Sequence, residues 1–118
     1  MAIIRNSPVT AYDYEAITVA DTAIGCTASK IKVTTALGSG TAAGLQPTNK
    51  FADEVFITVE SQPVRYRLDG TNPTASEGHL VQPAGTIEIE GYENIAKFRA
   101  IRQGASSGTL RVTYFTRG

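Results

Sequence analysis

Along most of this chain, apolar and polar residues alternate one by one. "YEAITVA" (14–20) puts Ile17 and Val19 on one side and Thr18 on the other. "EVFITVE" (54–60) groups Val55, Ile57 and Val59 against Phe56 and Thr58, and "VRYRL" (64–68) sets Val64, Tyr66 and Leu68 against Arg65 and Arg67. "KIKVTT" (30–35), "TIEIE" (86–90) and "TLRVTYF" (109–115) follow the same rule, and "IAKFRAI" (95–101) follows it less cleanly. Side chains of a strand point alternately to its two faces, so this period of two predicts half-buried antiparallel strands. Turn residues separate the runs at short spacing, as in sandwiches and barrels. The expected fold class is all-β: about eight strands in two antiparallel sheets, jelly-roll or immunoglobulin-like, with no helix.

Two connections can be examined for register. If "GYEN" (91–94) is the turn between 86–90 and 95–101, Ile89 meets Ala96, Ile87 meets Phe98 and Glu88 meets Lys97. Apolar pairs then share one face and opposite charges the other, which predicts a hairpin, although Ile101 falls on the charged face unless a bulge intervenes. Around "ESQPV" (60–64), a Gln62-Pro63 hairpin and a crossing to the other sheet are both open, because Gln-Pro is not a tight-hairpin pair.

Two segments depart from alternation. "TALGSGTAAGLQPTNKFAD" (35–53) is rich in Gly, Ala and Thr and long for a connection inside one domain. It reads as a flexible loop, either free at the surface or ordered by a neighbouring subunit. Residues 1–13 contain Ile3, Ile4, Pro8 and Tyr12, too apolar for a solvated tail, and read as an N-terminal arm docked on its own domain or a partner's. Residues 14–118 form the single sandwich domain.

Length and charge narrow the class. At 118 residues the chain is one domain, large enough to bury a core without staples. Eleven basic residues balance eleven acidic ones, which argues against electrostatic gripping of nucleic acid or an anionic membrane. Low self-repulsion suits a subunit that packs against copies of itself. The one cysteine, Cys26, makes no intrachain disulfide and reads as a small buried hydrophobe. The first residues carry neither the apolar run of a signal peptide nor that of a membrane span, and Asn72-Pro73-Thr74 is no glycosylation acceptor because of its proline.

The stretch with most chemical promise is "VRYRLDGTNPTASEGHLV" (64–81). Asp69-Gly70 and Asn72-Pro73 supply turn geometry, and Thr71, Thr74 and Ser76 can satisfy backbone donors locally. Asp69, Asn72 and Glu77 lack the regular spacing of a calcium loop. Ser76, His79 and Asp69 contain the residue types of a hydrolase triad, without a nucleophile elbow or an oxyanion motif. No CxxC or HExxH supports a metal, and "GSGTAAG" (38–44) lacks the GK[ST] ending of a phosphate loop. Glu88, Glu90 and Glu93 read as solvated carboxylates pairing across strands with Lys97 and Arg99, rather than as an acid–base pair. Arg65, Arg67, Arg99 and Arg102 are interleaved with Tyr66 and Phe98, but alternation sends the aromatics inward, so no stacking platform for nucleic acid results. Tyr12, Tyr14 and Tyr92 are the residues able to stack on a sugar ring. No catalytic residue, cofactor or metal is expected.

The stretches "FITVESQPVRYRLDGTNPTASEGHLVQPAGTIEIEG" (56–91) and "FRAIRQGASSGTLRVTYF" (98–115) carry a family resemblance. Through Val64-Arg65-Tyr66-Arg67, Asp69-Gly70-Thr71, Pro73-Thr74, Gly78-His79 and Val112-Thr113-Tyr114-Phe115, the chain is similar to small β-sandwich proteins encoded among the virion structural genes of tailed bacteriophages. That resemblance covers about half the chain and leaves out residues 1–50. It implies a non-enzymatic, homo-oligomeric virion component, foremost a capsid decoration or cement protein binding the major capsid protein and stabilising the head. It implies location in the virion after assembly in the host cytoplasm, and with the balanced charge no nucleic-acid or membrane partner is expected. The N-terminal arm and the 35–53 loop then reach neighbouring subunits through Ile3, Ile4, Tyr12 and Leu45. The alternative is a neck, tail or fibre component acting as a host-receptor or carbohydrate-binding module through Tyr92, Tyr12 or Tyr14. A small hydrolase centred on His79 is the third expectation.

Overall fold

The computed structural model describes residues 9–32 and 51–117, with the side chains of Val9 and Arg117 left aside. Among the described residues the chain forms seven strands and two short helices: β1 (Val9–Val19), α1 (Ala28–Ile31), β2 (Glu54–Glu60), β3 (Val64–Arg67), β4 (His79–Val81), β5 (Thr86–Glu90), α2 (Tyr92–Lys97), β6 (Arg99–Arg102) and β7 (Gly108–Arg117). They make two antiparallel sheets, one ordered β1-β7-β2-β5 and the other β4-β3-β6. The all-β two-sheet sandwich is therefore the fold, with seven strands in place of the eight expected.

The strand order favours one of the two expected topologies. In an immunoglobulin sandwich the last strand sits with the third and sixth. Here β7 lies between β1 and β2 instead. Ile24 forms an antiparallel bridge to Ala100 on the otherwise open side of β6. Counting Ile24 as the remnant of a strand between β1 and β2 gives an eight-strand order of 1-8-3-6 and 2-7-4-5, that of a jelly roll.

The core lies where the alternating faces meet. Ile17 and Val19 of β1, Val55, Ile57 and Val59 of β2, Ile87 and Ile89 of β5, and Leu110, Val112 and Tyr114 of β7 are all buried. The smaller sheet closes over them with Val64, Ala100 and the half-buried Tyr66, helped by Phe98. Each such aliphatic side chain contributes about 1.5–3 kcal/mol through removal from water.

The connection at 60–64 is a crossing, since β2 and β3 belong to different sheets. The expected 86–90/95–101 hairpin does not form. Residues 92–97 wind into α2, β5 pairs with β2 (Ile89 opposite Val55, Ile87 opposite Ile57), and β6 pairs with β3 in the other sheet. Two causes are visible. Val55 and Ile57 offer β5 the same apolar matching that Ala96 and Phe98 did on paper. A single helical turn also buries Ile95, with the Asn94 amide donating to Glu90 O (2.9 Å) at its start. The strand then begins at Arg99, and Ile101 stays in phase with Arg99 on the partly exposed face, opposite the buried Ala100.

Segment 30–35 also differs from expectation. Ile31 ends a one-turn helix and Lys32 bridges Phe51, while 33–35 lie outside the described residues. Residues 9–13, read as arm, are the first half of β1 and pair with β7. At the far end of the expected 35–53 loop, Ala52 is buried and its amide donates to Ile31 O.

Candidate functional site

One pole of the sandwich collects features that neither sheet needs. It is organised from β1, where the pairing with β7 slips between Ala11 and Asp13 and leaves Tyr12 as the extra residue of a bulge. A bulge re-aims one side chain. Tyr12 consequently turns its ring toward Tyr114 (centroids 6.2 Å apart), and its hydroxyl donates to Lys30 O (2.7 Å) and Ile31 O (3.1 Å). Those carbonyls end α1, where helix geometry leaves acceptors unpaired. Lys30 pairs with Asp13 at 3.2 Å.

Glu15 fastens the other end of the helix. Its carboxylate accepts from the Thr27 amide (3.1 Å), the Thr27 hydroxyl (2.6 Å) and the Tyr114 hydroxyl. Burial raises the Tyr114 phenol above its ordinary range, so it remains a donor at any ordinary pH. The Cys26 thiol lies against this hydroxyl, and burial pushes it up to about 11, leaving it neutral. Cys26, expected as a small buried hydrophobe, is half-buried and packs against the core.

Between α1 and α2 runs a cleft of about 180 Å³, lined by Cys26, Ala28, Ile31, Lys32, Phe51, Tyr92, Ala96 and Arg99. Phe51 and Tyr92 form its aromatic wall, with centroids 4.5 Å apart and planes tilted by 39°. Both rings are exposed, at 39% and 42%. Arg99 reaches the cleft from β6, donating to Ala96 O (2.9 Å) and Phe98 O (2.7 Å). Gly25 makes room for it, because a Cβ there would lie 2.6 Å from the guanidinium nitrogen.

Lys32 and Phe51, which flank segment 33–50, are bridged to each other. The Thr116 hydroxyl donates to Phe51 O (3.2 Å), Thr116 pairs with Thr10, and Val9, where the description of β1 starts, pairs with Arg117. Of the four residues expected to bind partners, Ile3, Ile4 and Leu45 lie outside the described residues, whereas Tyr12 is half-buried and bonded within its own domain.

The 69–79 loop is held from one side. Arg65 Nε donates to Ala75 O (2.9 Å) and its NH1 to Gly78 O (2.9 Å), while Arg67 pairs with Asp69. That pairing holds the Asp69 carboxyl below its usual range. Gly70 takes the positive φ of the turn (88°), and the Thr74 hydroxyl accepts from the Ser76 and Glu77 amides. The arginines face outward as alternation predicts, and they fasten a loop. Arg67, Leu68, Asp69, Glu77, Gly78 and His79 border an open groove of about 540 Å³. Among the described residues no hydrogen bond joins Ser76, His79 and Asp69: Asp69 faces Arg67, Ser76 faces Thr74, and the His79 ring lies 5.3 Å from that of Tyr66.

Two other predicted groups are separated. Glu88 sits opposite Phe56, while Lys97 is in α2 and Arg99 is in the other sheet, so the expected cross-strand pairs do not form. Tyr14 is exposed on the outer face of the larger sheet, where its hydroxyl accepts from Arg111 (3.0 Å), which also pairs with Glu60. Sequence reasoning passed over Glu15 and Phe51, and read Arg99 only as a partner of strand carboxylates and an outward-facing arginine. For Glu15 a signal existed: it shares the inward phase of Ile17 and Val19, where a carboxylate needs a partner. Phe51 and Arg99 acquire their roles only through the two helices. No protein-family model matches this chain, and neither a curated protein nor a solved structure matches it.

Proposed function

We propose that this chain is a non-enzymatic structural protein of a tailed-bacteriophage virion, a capsid decoration protein that binds the major capsid protein and stabilises the head. The family resemblance supplies the class. The observation that carries the mechanism is the meeting, at one pole, of Val9, Lys32, Phe51 and Arg117 with the exposed Phe51–Tyr92 pair. The residues that border the stretches holding Ile3, Ile4 and Leu45 meet there beside the exposed aromatic pair, which supports this pole as the partner-facing surface. Homo-oligomeric repetition on a shell would multiply a modest contact through avidity.

The test is a chain lacking residues 1–8, which keeps β1 whole; a longer deletion would remove the Tyr12 bonds to α1. The shortened protein is expected to fold, by circular dichroism, and to lose co-sedimentation with phage particles. Normal incorporation would overturn the reading.

The alternative, a neck, tail or fibre module that binds carbohydrate, draws on the exposure of Tyr92. A sugar ring stacks on a flat face, and the 39° tilt toward Phe51 leaves a narrow wedge instead. Glycan-array binding lost on Tyr92→Ala would favour this second reading.

A further inference from the structure

We infer that the cleft between α1 and α2 is a docking site for a segment of another protein chain in which a bulky apolar side chain stands beside a carboxylate. The inference rests on reading the chain as a protein-binding module, but not on the partner being a virion protein.

Size comes first. At about 180 Å³ the cleft is below the 300 Å³ or so at which small-molecule sites begin, and its walls are Ile31, Ala28, Ala96, Phe51 and Tyr92. It accommodates a single large side chain. The Cys26 thiol in its lining is neutral, so it does not repel an apolar group.

Charge comes second. Lys32 and Arg99 line the cleft, and no carboxylate does among the described residues. Of the carboxylates near the pole, Glu15 is engaged by Thr27 and Tyr114 and Asp13 by Lys30, while Glu93 stands exposed beside Tyr92 without lining the cleft. The NH1 of Arg99 is oriented by two carbonyls, which fixes the guanidinium without neutralising it. An apolar wedge with cations at its rim is complementary to an apolar residue flanked by Asp or Glu.

The third point excludes this chain's own remaining segments as the matching partner. Residues 1–8, "MAIIRNSP", and 33–50, "VTTALGSGTAAGLQPTNK", contain no Asp or Glu, and each carries a further cation, Arg5 and Lys50. The acidic residue must come from elsewhere.

The experiment titrates the 15N-labelled full chain with the peptide acetyl-Gly-Asp-Leu-Glu-Gly-amide. Two controls accompany it: the same peptide with Asn and Gln replacing Asp and Glu, and one with Ala replacing Leu. Saturable shifts are expected at the amides of Cys26, Ile31, Phe51, Tyr92, Ala96 and Arg99. Each control peptide should bind about fivefold more weakly, the difference made by one exposed charge pair or one partly buried side chain. Tyr92→Ala and Lys32→Ala, both exposed positions whose replacement spares the core, should weaken the acidic peptide to a similar degree. Raising ionic strength should erase the advantage of the acidic peptide over the amide one. No saturable shift, shifts confined to the Arg67–His79 groove, or equal binding of all three peptides would each overturn the inference. The outcome is independent of the particle assay: lost co-sedimentation on deleting residues 1–8 bears on the virion, and the titration bears on the cleft.

Discussion

The body of the sandwich and its helical pole are held together by different forces. In the body, β7 lies between β1 and β2 with every inward side chain from Leu110 to Tyr114 shielded, and adhesion comes from apolar faces and strand ladders. At the pole, helices too short to persist alone are tied down by side-chain hydrogen bonds: α1 by Tyr12, Asp13 and Glu15, the last also held by Tyr114, and α2 by Asn94 on Glu90 O and Arg99 on Ala96 O. The contrast identifies which bonds to cut to loosen α1 while leaving the strand ladders intact, even though Ile31 and Ile95 share the common core.

Four perturbations sharpen or break that contrast. Ile57→Ala, in the centre of the fully buried β2 face, is expected to cost about 2–5 kcal/mol in denaturant unfolding. It should destabilise body and pole together, and a selective effect on the pole would contradict the division. Alkaline pH comes next. Cys26 ionises near 9 when unfolded and near 11 when folded, so above pH 9 the unfolded chain releases a proton that the folded chain keeps. Stability should therefore fall between about pH 9 and 11 by up to ~2–3 kcal/mol, and Cys26→Ala should flatten the slope in that window. Tyr12 and Tyr114, also raised, extend the decline to higher pH in both proteins.

Glu15→Ala is expected to cost about 1–3 kcal/mol, because it strands the Tyr114 hydroxyl. Hydrogen exchange should quicken at residues 27–32 and stay slow at 55–59. Adding Tyr114→Phe should cost less in the Glu15→Ala background than alone, and strict additivity would refute the linkage. The smallest effect belongs to the exposed Arg67–Asp69 pair. The depressed Asp69 carboxyl stabilises only above its usual range, and that contribution disappears as pH falls through its lowered pKa. Asp69→Asn should leave the melting temperature unchanged and raise amide mobility only within 69–78.

The body was readable because alternation there is enforced by burial. "EVFITVE" and "TIEIE" become β2 and β5 with the same limits, and "VRYRL" and "TLRVTYF" become strands shifted by one or two residues at their ends. The pole was not readable, since "KIKVTT" alternates as well as any strand and "IAKFRAI" does so nearly as well, its second half indeed entering β6. Over four to seven residues, one turn of helix can bury the same apolar residue that a strand would: Ile31 in one case, Ile95 in the other. These two misread segments supply opposite walls of the cleft. Of the candidate site, Tyr92 was legible as an exposed aromatic. Its neighbour Phe51 looked like part of a loop.

By itself the pattern of side chains determined that the chain makes two-faced antiparallel strands around a dry interior, because a residue's side of the strand depends only on whether its position is odd or even. It also determined that the arginines of 64–67 point outward. Which strands become neighbours was decided in three dimensions. Ile87 and Ile89 match Ile57 and Val55 as well as they match Phe98 and Ala96, and local sequence carries no term that separates the two pairings. The helical pole was likewise a tertiary outcome. Glu15, Thr27 and Tyr114 are far apart along the chain, and only the closure of β1 on β7 brings them within hydrogen-bonding distance.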